Sequence, residues 1–348
     1  MSDTLPVRAG EELDLRALNG WLAANAPEIG LVSTVEQFSG GFSNLTYLLK
    51  SDAGEFVLRR PPAGVGKGSA HDVAREYRIL AAVAPREIPV PRVIGLCEDA
   101  SVLGVPFYLM ERVRGVILQR GSDPGFSAET MRGISESFVA TFAAIHSVDA
   151  TDPAIAALGK ADGYVSRQIS GWIKRWHASR IDPVPAMDRV AEWLTSHEPA
   201  SSGICLVHND FKYDNLVLDP ADPRRITAVL DWEMATLGDP LLDVGTSMGY
   251  WVESTDHPAL QSLGLGMTAL PGNFTRREFW EGYLKRTGRP PTSPAFYYTF
   301  GLFKIAVIAQ QIYARYRKGF TTDDRFARLG DAVGFFAMTA ERATSQRN

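Results

Sequence analysis

His208-Asn209-Asp210-Phe211-Lys212-Tyr213-Asp214-Asn215, followed downstream by Val229-Leu230-Asp231-Trp232-Glu233, is the stretch on which the reading of this chain turns. It gathers carboxylates, two carboxamides and one cation into a short span. Asp210 and Asn215 lie five positions apart, so a single loop can present both. Asp231 ends the apolar, β-branched run Ile226–Leu230, so its carboxylate emerges at the end of a strand. Oxygen donors of this kind suit a hard cation. Lys212, two residues after Asp210, sets positive charge beside a carboxylate. Phosphoryl transfer calls for this combination: a carboxylate aimed at the attacking hydroxyl, oxygen ligands for Mg²⁺ on the phosphates, and a cation to neutralise the moving group. Taken singly, each residue reads better as part of a solvated, Asx-rich turn. The ordered set reverses that preference.

Outward from this stretch, the chain changes texture twice. Glu11–Ala26 carries Leu15, Leu18, Trp21 and Leu22 at helical spacing. Leu31–Phe38, Leu45–Lys50 and Glu55–Arg60 read as strands, with turns at Gly40-Gly41 and Asp52-Ala53-Gly54. Ser69 is placed to cap a helix over Ala70–Val83, and two further strands, Arg92–Glu98 and Phe107–Val113, follow. Beyond Gly115 the pattern is helical over Ser127–Ser147, Tyr164–Arg180, Met187–His197, Arg276–Arg286, Pro294–Arg317 and Thr322–Arg342, broken by a strand-and-loop island at Ile204–Trp232. The expected fold is α+β: a small N-lobe, residues 1–113, with an N-terminal helix, a five-stranded, mostly antiparallel sheet and one inserted helix, then a larger, mainly helical C-lobe, residues 114–348.

Composition narrows the partners. The net charge of −4 and the lack of a Lys/Arg block give no electrostatic support for a nucleic-acid partner. Cys97 and Cys205 stand far apart, with no metal-ligand spacing, and read as reduced, buried thiols. Met1–Leu18 is acidic without an apolar core, and Ile305–Ala309 is far too short to span a bilayer, so no membrane association and a cytoplasmic location are expected.

The two loop motifs also carry a resemblance. His208-Asn209-Asp210 through Asn215 resembles a kinase catalytic loop, and Asp231-Trp232-Glu233 stands where that superfamily has Asp-Phe-Gly. With Phe38-Ser39-Gly40-Gly41-Phe42-Ser43-Asn44, Phe56-Val57-Leu58-Arg59 and Leu237–Asp243, the chain resembles the aminoglycoside phosphotransferase and choline kinase-like family. Within it, the chain is most similar to the branch associated with acyl-CoA dehydrogenases. The resemblance implies a two-lobed, protein-kinase-like fold binding ATP and Mg²⁺ between the lobes. It implies Asp210 as catalytic base with Lys212 beside the phosphoryl group, and Asn215 and Asp231 as metal ligands. Ser39, Gly40, Gly41, Phe42, Ser43 and Asn44 match the phosphate-covering hairpin. Glu76 matches the helix glutamate that pairs with the phosphate-binding cation, and Glu111, Arg112 and Val113 match the segment that receives adenine. Asp243 matches the aspartate that holds the catalytic loop.

Three departures bear on that reading. Arg59 replaces the expected phosphate-binding lysine, with Arg60 beside it, and the exchange is not neutral. Asn209 follows His208 where these phosphotransferases usually have glycine and protein kinases have arginine. No Ala-Pro-Glu motif follows Asp231, which speaks against a protein kinase. His146 reads as a helix C-terminal cap, and Trp172 and Trp176 as core or cleft wall. Lys174, Arg175, Lys304, Arg315 and Arg317 fall on helices expected to face the cleft; that basic, aromatic-rich wall favours an anionic acceptor such as a hydroxyacyl-CoA. The expected activity is transfer of the γ-phosphate to a small-molecule hydroxyl. The alternatives are an antibiotic O-phosphotransferase and a non-catalytic nucleotide-binding scaffold.

Overall fold

A computed structural model of the chain describes residues 3–38, 44–62, 72–119, 124–263, 267–319 and 324–345. It divides into two compact units, Met1–Gly115 with Thr227–Ala235, and Val116–Ile226 with Thr236–Asn348. Among the described residues, no helix is long and apolar enough to cross a membrane.

The first unit is built on strands β1 (Thr4–Leu5), β2 (Val32–Phe38), β3 (Leu45–Ser51), β4 (Gly54–Arg60), β5 (Val93–Cys97) and β6 (Phe107–Glu111), with helices α1 (Leu15–Asn25), α2 (Val73–Val83) and α3 (Ala100–Leu103). The sheet order is β1-β2-β3-β4-β6-β5, antiparallel throughout. The sixth strand, β1, is too short and mixed to show a periodicity in the sequence. Leu18 and Leu22 of α1 pack with Tyr47, Leu49, Phe56, Leu58, Phe107 and Leu109 in one core. Strand alternation sorts the two arginines of β4. Arg60 follows Phe56 and Leu58 to the α1 side, where its guanidinium donates to the Glu11 carbonyl (2.8 Å) and the Tyr47 hydroxyl (3.0 Å). Arg59 takes the opposite face. Helix α2 begins at Val73 with Asp72 as its cap, accepting from the Arg75 N–H. Asp72 therefore does what Ser69, outside the described residues, was expected to do.

The second unit holds α4 (Ala128–His146), α5 (Pro153–Ala156), α6 (Tyr164–Ser179), α7 (Pro185–Ser196), α8 (Pro240–Tyr250), α9 (Pro258–Leu263), α10 (Arg276–Arg286), α11 (Ala295–Arg317) and α12 (Leu329–Thr344). Ser127 caps α4 as its sequence indicates, and Thr275 and Glu278 form a capping box on α10. The last helix starts seven residues later than the expected Thr322. No helix was expected over α8. Pro240–Gly249 is buried on every side, so it shows no amphipathic stripe. Its glycines explain its place: a Cβ on Gly245 would lie 2.2 Å from the Tyr297 carbonyl, and one on Gly301 would lie 2.0 Å from the Gly245 carbonyl. Helices α8 and α11 thus cross with their backbones in contact, which fixes Asp243 and Lys304 as neighbours of one loop.

Candidate active site

In the first unit, three carboxylates surround one guanidinium. Arg59 Nη2 lies 2.6 Å from Asp231 Oδ1 and 3.2 Å from Glu233 Oε2, while its Nε lies 3.1 Å from Glu76 Oε2. The last approach is a charge contact without hydrogen-bond alignment. The expected Arg59–Glu76 pair is therefore present, and the strand register behind it is correct. Glu76, 1% exposed on α2, feels opposing effects. Burial pushes its carboxyl up, to about 7, against the lowering by Arg59 and by hydrogen bonds from the Tyr108 hydroxyl and the Trp232 backbone. Asn44 Nδ2 donates to Glu233 Oε2 (3.1 Å), and the Arg75 guanidinium donates to the carbonyls of Glu233 and Ala235. These bonds, with Trp232–Met234 packed on α2, bring Thr227–Ala235 into the first unit although it is far away in sequence. Asp231 itself sits in left-handed backbone, φ +64°.

In the second unit, the loop after strand Cys205–Val207 is latched by one buried carboxylate. Asp243, 1% exposed, accepts from the backbone N–H of His208 (2.7 Å) and of Asn209 (2.8 Å). Burial alone would raise its carboxyl, but the hydrogen bond and charge of His146, with the charges of His208 and Lys304, hold it below the usual aspartate range. His146 is thus no simple helix cap: its ring bonds Asp243 (3.1 Å) through Nε2 and the Tyr283 hydroxyl (2.7 Å) through Nδ1. Phe211 anchors the loop by packing at 4.3 Å and 4.5 Å on Phe142 and Phe138. Ser247 donates to the Phe211 carbonyl. At the tip, Asp210 Oδ2 accepts from Lys212 Nζ (2.8 Å) and from Asn215 Nδ2 (3.0 Å). The Tyr250 hydroxyl, kept protonated chiefly by its burial, lies near the Asp210 carboxylate, and Lys212 Nζ lies 4.8 Å from the Tyr250 ring. Tyr250 carried no sequence signal beyond its place at the end of the unanticipated α8.

The remaining candidates divide unevenly. Ser39–Ser43 lies outside the described residues. In the Glu111–Val113 segment expected to receive adenine, the Glu111 N–H already bonds the Arg92 carbonyl (2.9 Å), and the Glu111 carboxylate takes the Arg92 guanidinium. Arg112 is ion-paired to Asp3 and Glu55, and Val113 lies just past β6. The expected basic wall needs correction: Lys304 is 1% exposed and donates to the Asn209 carbonyl (2.8 Å), so it lines no acceptor surface. Arg317 pairs with Asp182, and Arg175 lies over the Trp172 ring. Asn215 and Asp231 are hard oxygen donors of the type Mg²⁺ takes. Asn215 turns its nitrogen to Asp210, and its amide oxygen accepts no hydrogen bond among the described residues, which suits it as a ligand. Among these residues no group of three His, Cys, Asp or Glu side chains is placed to hold a metal.

A model of the phosphotransferase enzyme family matches residues 34–280. Acyl-CoA dehydrogenase family member 10 of Mus musculus is 37% identical over 319 residues, 90% of this chain but 29% of that protein, so the chain spans under a third of this relative. Among solved structures, a Ralstonia eutropha protein described as a candidate aminoglycoside phosphotransferase is 32% identical, with TM-score 0.79, covering 96% of this chain and 98% of that one. A thermostable mutant of aminoglycoside phosphotransferase APH(4)-Ia, solved with ADP and hygromycin B, shares the fold at 18% identity and TM-score 0.61, covering 95% of this chain and 100% of that one. The kinase-like fold, the latched loop with its Asp210 and Asn215, and the family match over most of the chain agree: this protein belongs to the phosphotransferase enzyme family.

Proposed function

We propose that this protein passes the γ-phosphoryl group of Mg·ATP to a hydroxyl of a small-molecule metabolite. The observation that supports it most is Asp210, whose carboxylate is held by Lys212 and Asn215 on a loop latched to buried Asp243. Asp210 orients the acceptor hydroxyl and takes its proton. Lys212 offsets negative charge near that oxygen, and Arg59, kept in place by Glu76, offsets charge on the nucleotide phosphates. Asn215 and Asp231 are the residues that would hold Mg²⁺. The ion, when bound, supplies charge neutralisation on the phosphates. The backbone of Arg112 and Val113 would receive the adenine, and Ser39–Asn44 would cover the phosphates. Catalysis here is positioning and electrostatics, with the base contributing about 10²–10⁴-fold.

For the acceptor, a hydroxyacyl-CoA or a similar anionic metabolite is supported by the name of the mouse relative, which also suggests a functional link to an acyl-CoA dehydrogenase. Aminoglycosides form the competing class, since the Ralstonia eutropha neighbour is described in those terms. An ATP-consumption screen over hydroxyacyl-CoAs and aminoglycosides, run beside nucleotide titration, tests the proposal. Asp210→Asn should bind Mg·ATP within about threefold of wild type and turn over about 10²–10⁴ times more slowly. Wild-type rates in that variant would sink the mechanism. Nucleotide binding by wild type without consumption would favour a scaffold.

A further inference from the structure

Asn209 is the residue at which the catalytic loop departs from its resemblance, and it adopts left-handed backbone, φ +66°. Asparagine visits this region more readily than other side chains, and the contacts around it keep it there. There are three, each from a different helix. Its N–H donates to Asp243 Oδ1 of α8 (2.8 Å), its side-chain oxygen accepts from the Tyr164 hydroxyl of α6 (3.0 Å), and its carbonyl accepts from Lys304 Nζ of α11 (2.8 Å).

The third contact is the one that needs explaining. Lys304 is 1% exposed on a stretch of α11 whose neighbours Phe303, Ile305, Ala306 and Val307 are apolar. Enclosing an ammonium is expensive unless it meets a partner, and its only hydrogen bond among the described residues goes to the Asn209 carbonyl. That carbonyl belongs to the peptide joining Asn209 to Asp210. Because the peptide is planar, holding its oxygen sets the plane from which the Asp210 side chain departs. Asp243 offers a competing explanation, in which Lys304 is merely its countercharge. The two make no ion pair, however; the Asp243 oxygens are taken by the His208 and Asn209 N–H groups and by His146.

We propose that Lys304 is a positioning residue: with Tyr164 it locks Asn209 in left-handed backbone and thereby aims Asp210. The inference rests on Asp210 being the base, and it adds a lever that the loop motif does not contain. Burial also lowers the Lys304 ammonium, to about 8, so the interaction is not that of an ordinary surface lysine.

The test compares Lys304→Met, which deletes the donor, with Lys304→Gln, which keeps an N–H donor without charge, and with Tyr164→Phe, which removes only the bond to the Asn209 side chain. Turnover, KM for ATP, melting temperature and amide hydrogen exchange of His208–Asp210 are followed in the full chain. Lys304→Met should lower kcat about 10–100-fold with KM for ATP within about twofold, and should speed loop exchange. Lys304→Gln should stay within about threefold of wild type, and Tyr164→Phe should fall between. Equal damage from Met and Gln would make Lys304 a countercharge and overturn the proposal. So would unchanged loop exchange in both Lys304→Met and Tyr164→Phe, or, if the Met variant does not fold, unchanged loop exchange and full activity in Tyr164→Phe. If wild type consumes no ATP with any acceptor or with water, the phosphotransferase reading fails by itself, and loop exchange still decides whether Lys304 positions the loop.

Discussion

The Arg59 cluster and the catalytic loop hold their charged groups in opposite ways. In the cluster, side chains hold side chains: Glu76, Asp231 and Glu233 share one guanidinium, and Asp231 remains 31% exposed. Three carboxylates there share one guanidinium, so the pairs can exchange partners. In the loop, buried groups hold backbone: Asp243 takes two N–H groups, Lys304 takes a carbonyl, and Phe211 is anchored among aromatic rings. Under the proposed function, that contrast would place rigidity at Asp210 and adaptability at Arg59, which suits a reaction that depends on positioning.

Removing the latch should break the comparison most severely. Asp243→Asn leaves at least one loop N–H facing an amide N–H, and it should cost about 3 kcal/mol of stability with a drop in turnover of about 100-fold or more. The pH dependence follows from the lowered carboxyl of Asp243. A lowered folded value means its stabilisation is present above the ordinary aspartate value of about 3.9 and lost as pH falls through the folded value. The wild-type advantage over Asp243→Asn in thermal unfolding should therefore shrink below about pH 4. An advantage that grew as pH fell below about 4 would contradict the latch.

Glu76 tests the cluster with the reverse sign. Its carboxyl is raised from its ordinary 4.5 to about 7 by burial, so its favourable contribution is complete below 4.5 and lost as pH rises through about 7. Glu76→Gln does not titrate. Unfolding measured from pH 5 to 8 should show wild type losing about 1 kcal/mol or more relative to the variant over that window. A difference that is flat with pH would mean that Arg59 keeps Glu76 ionised throughout. The smallest effect is expected at Tyr250. Tyr250→Phe removes a buried hydroxyl near Asp210 while the bonds from Lys212 and Asn215 remain, so turnover should fall about 3–10-fold with little change in melting temperature. A larger loss, matching that of Asp210→Asn, would give the hydroxyl a direct part in the chemistry.

Much of this was legible because the signals are local. Strands β2 to β6 of the first sheet, helix α4 with its Ser127 cap, and α10 follow from period and capping, which neighbours in sequence set. Asp210, Lys212 and Asn215 were legible for the same reason: one loop carries all three. Helix α8 was not, since burial on every side removes the stripe by which a helix is read. Glu233 and Tyr250 escaped as well, because their partners Arg59 and Asp210 are 174 and 40 positions away in the sequence.

The amino-acid sequence by itself determined the α+β class, the order of sheet and helices, the alternation that sends Arg59 and Arg60 to opposite faces, and the loop that bears the candidate base. The tertiary structure decided which unit claims Asp231, that His146 grips Asp243 rather than capping its helix, and that Lys304 is a buried support rather than part of a basic wall. The physical reason is range. Periodicity and spacing report what a residue does to its own element, whereas the partner of a buried charge is chosen by whichever helix packing brings within 3 Å of it.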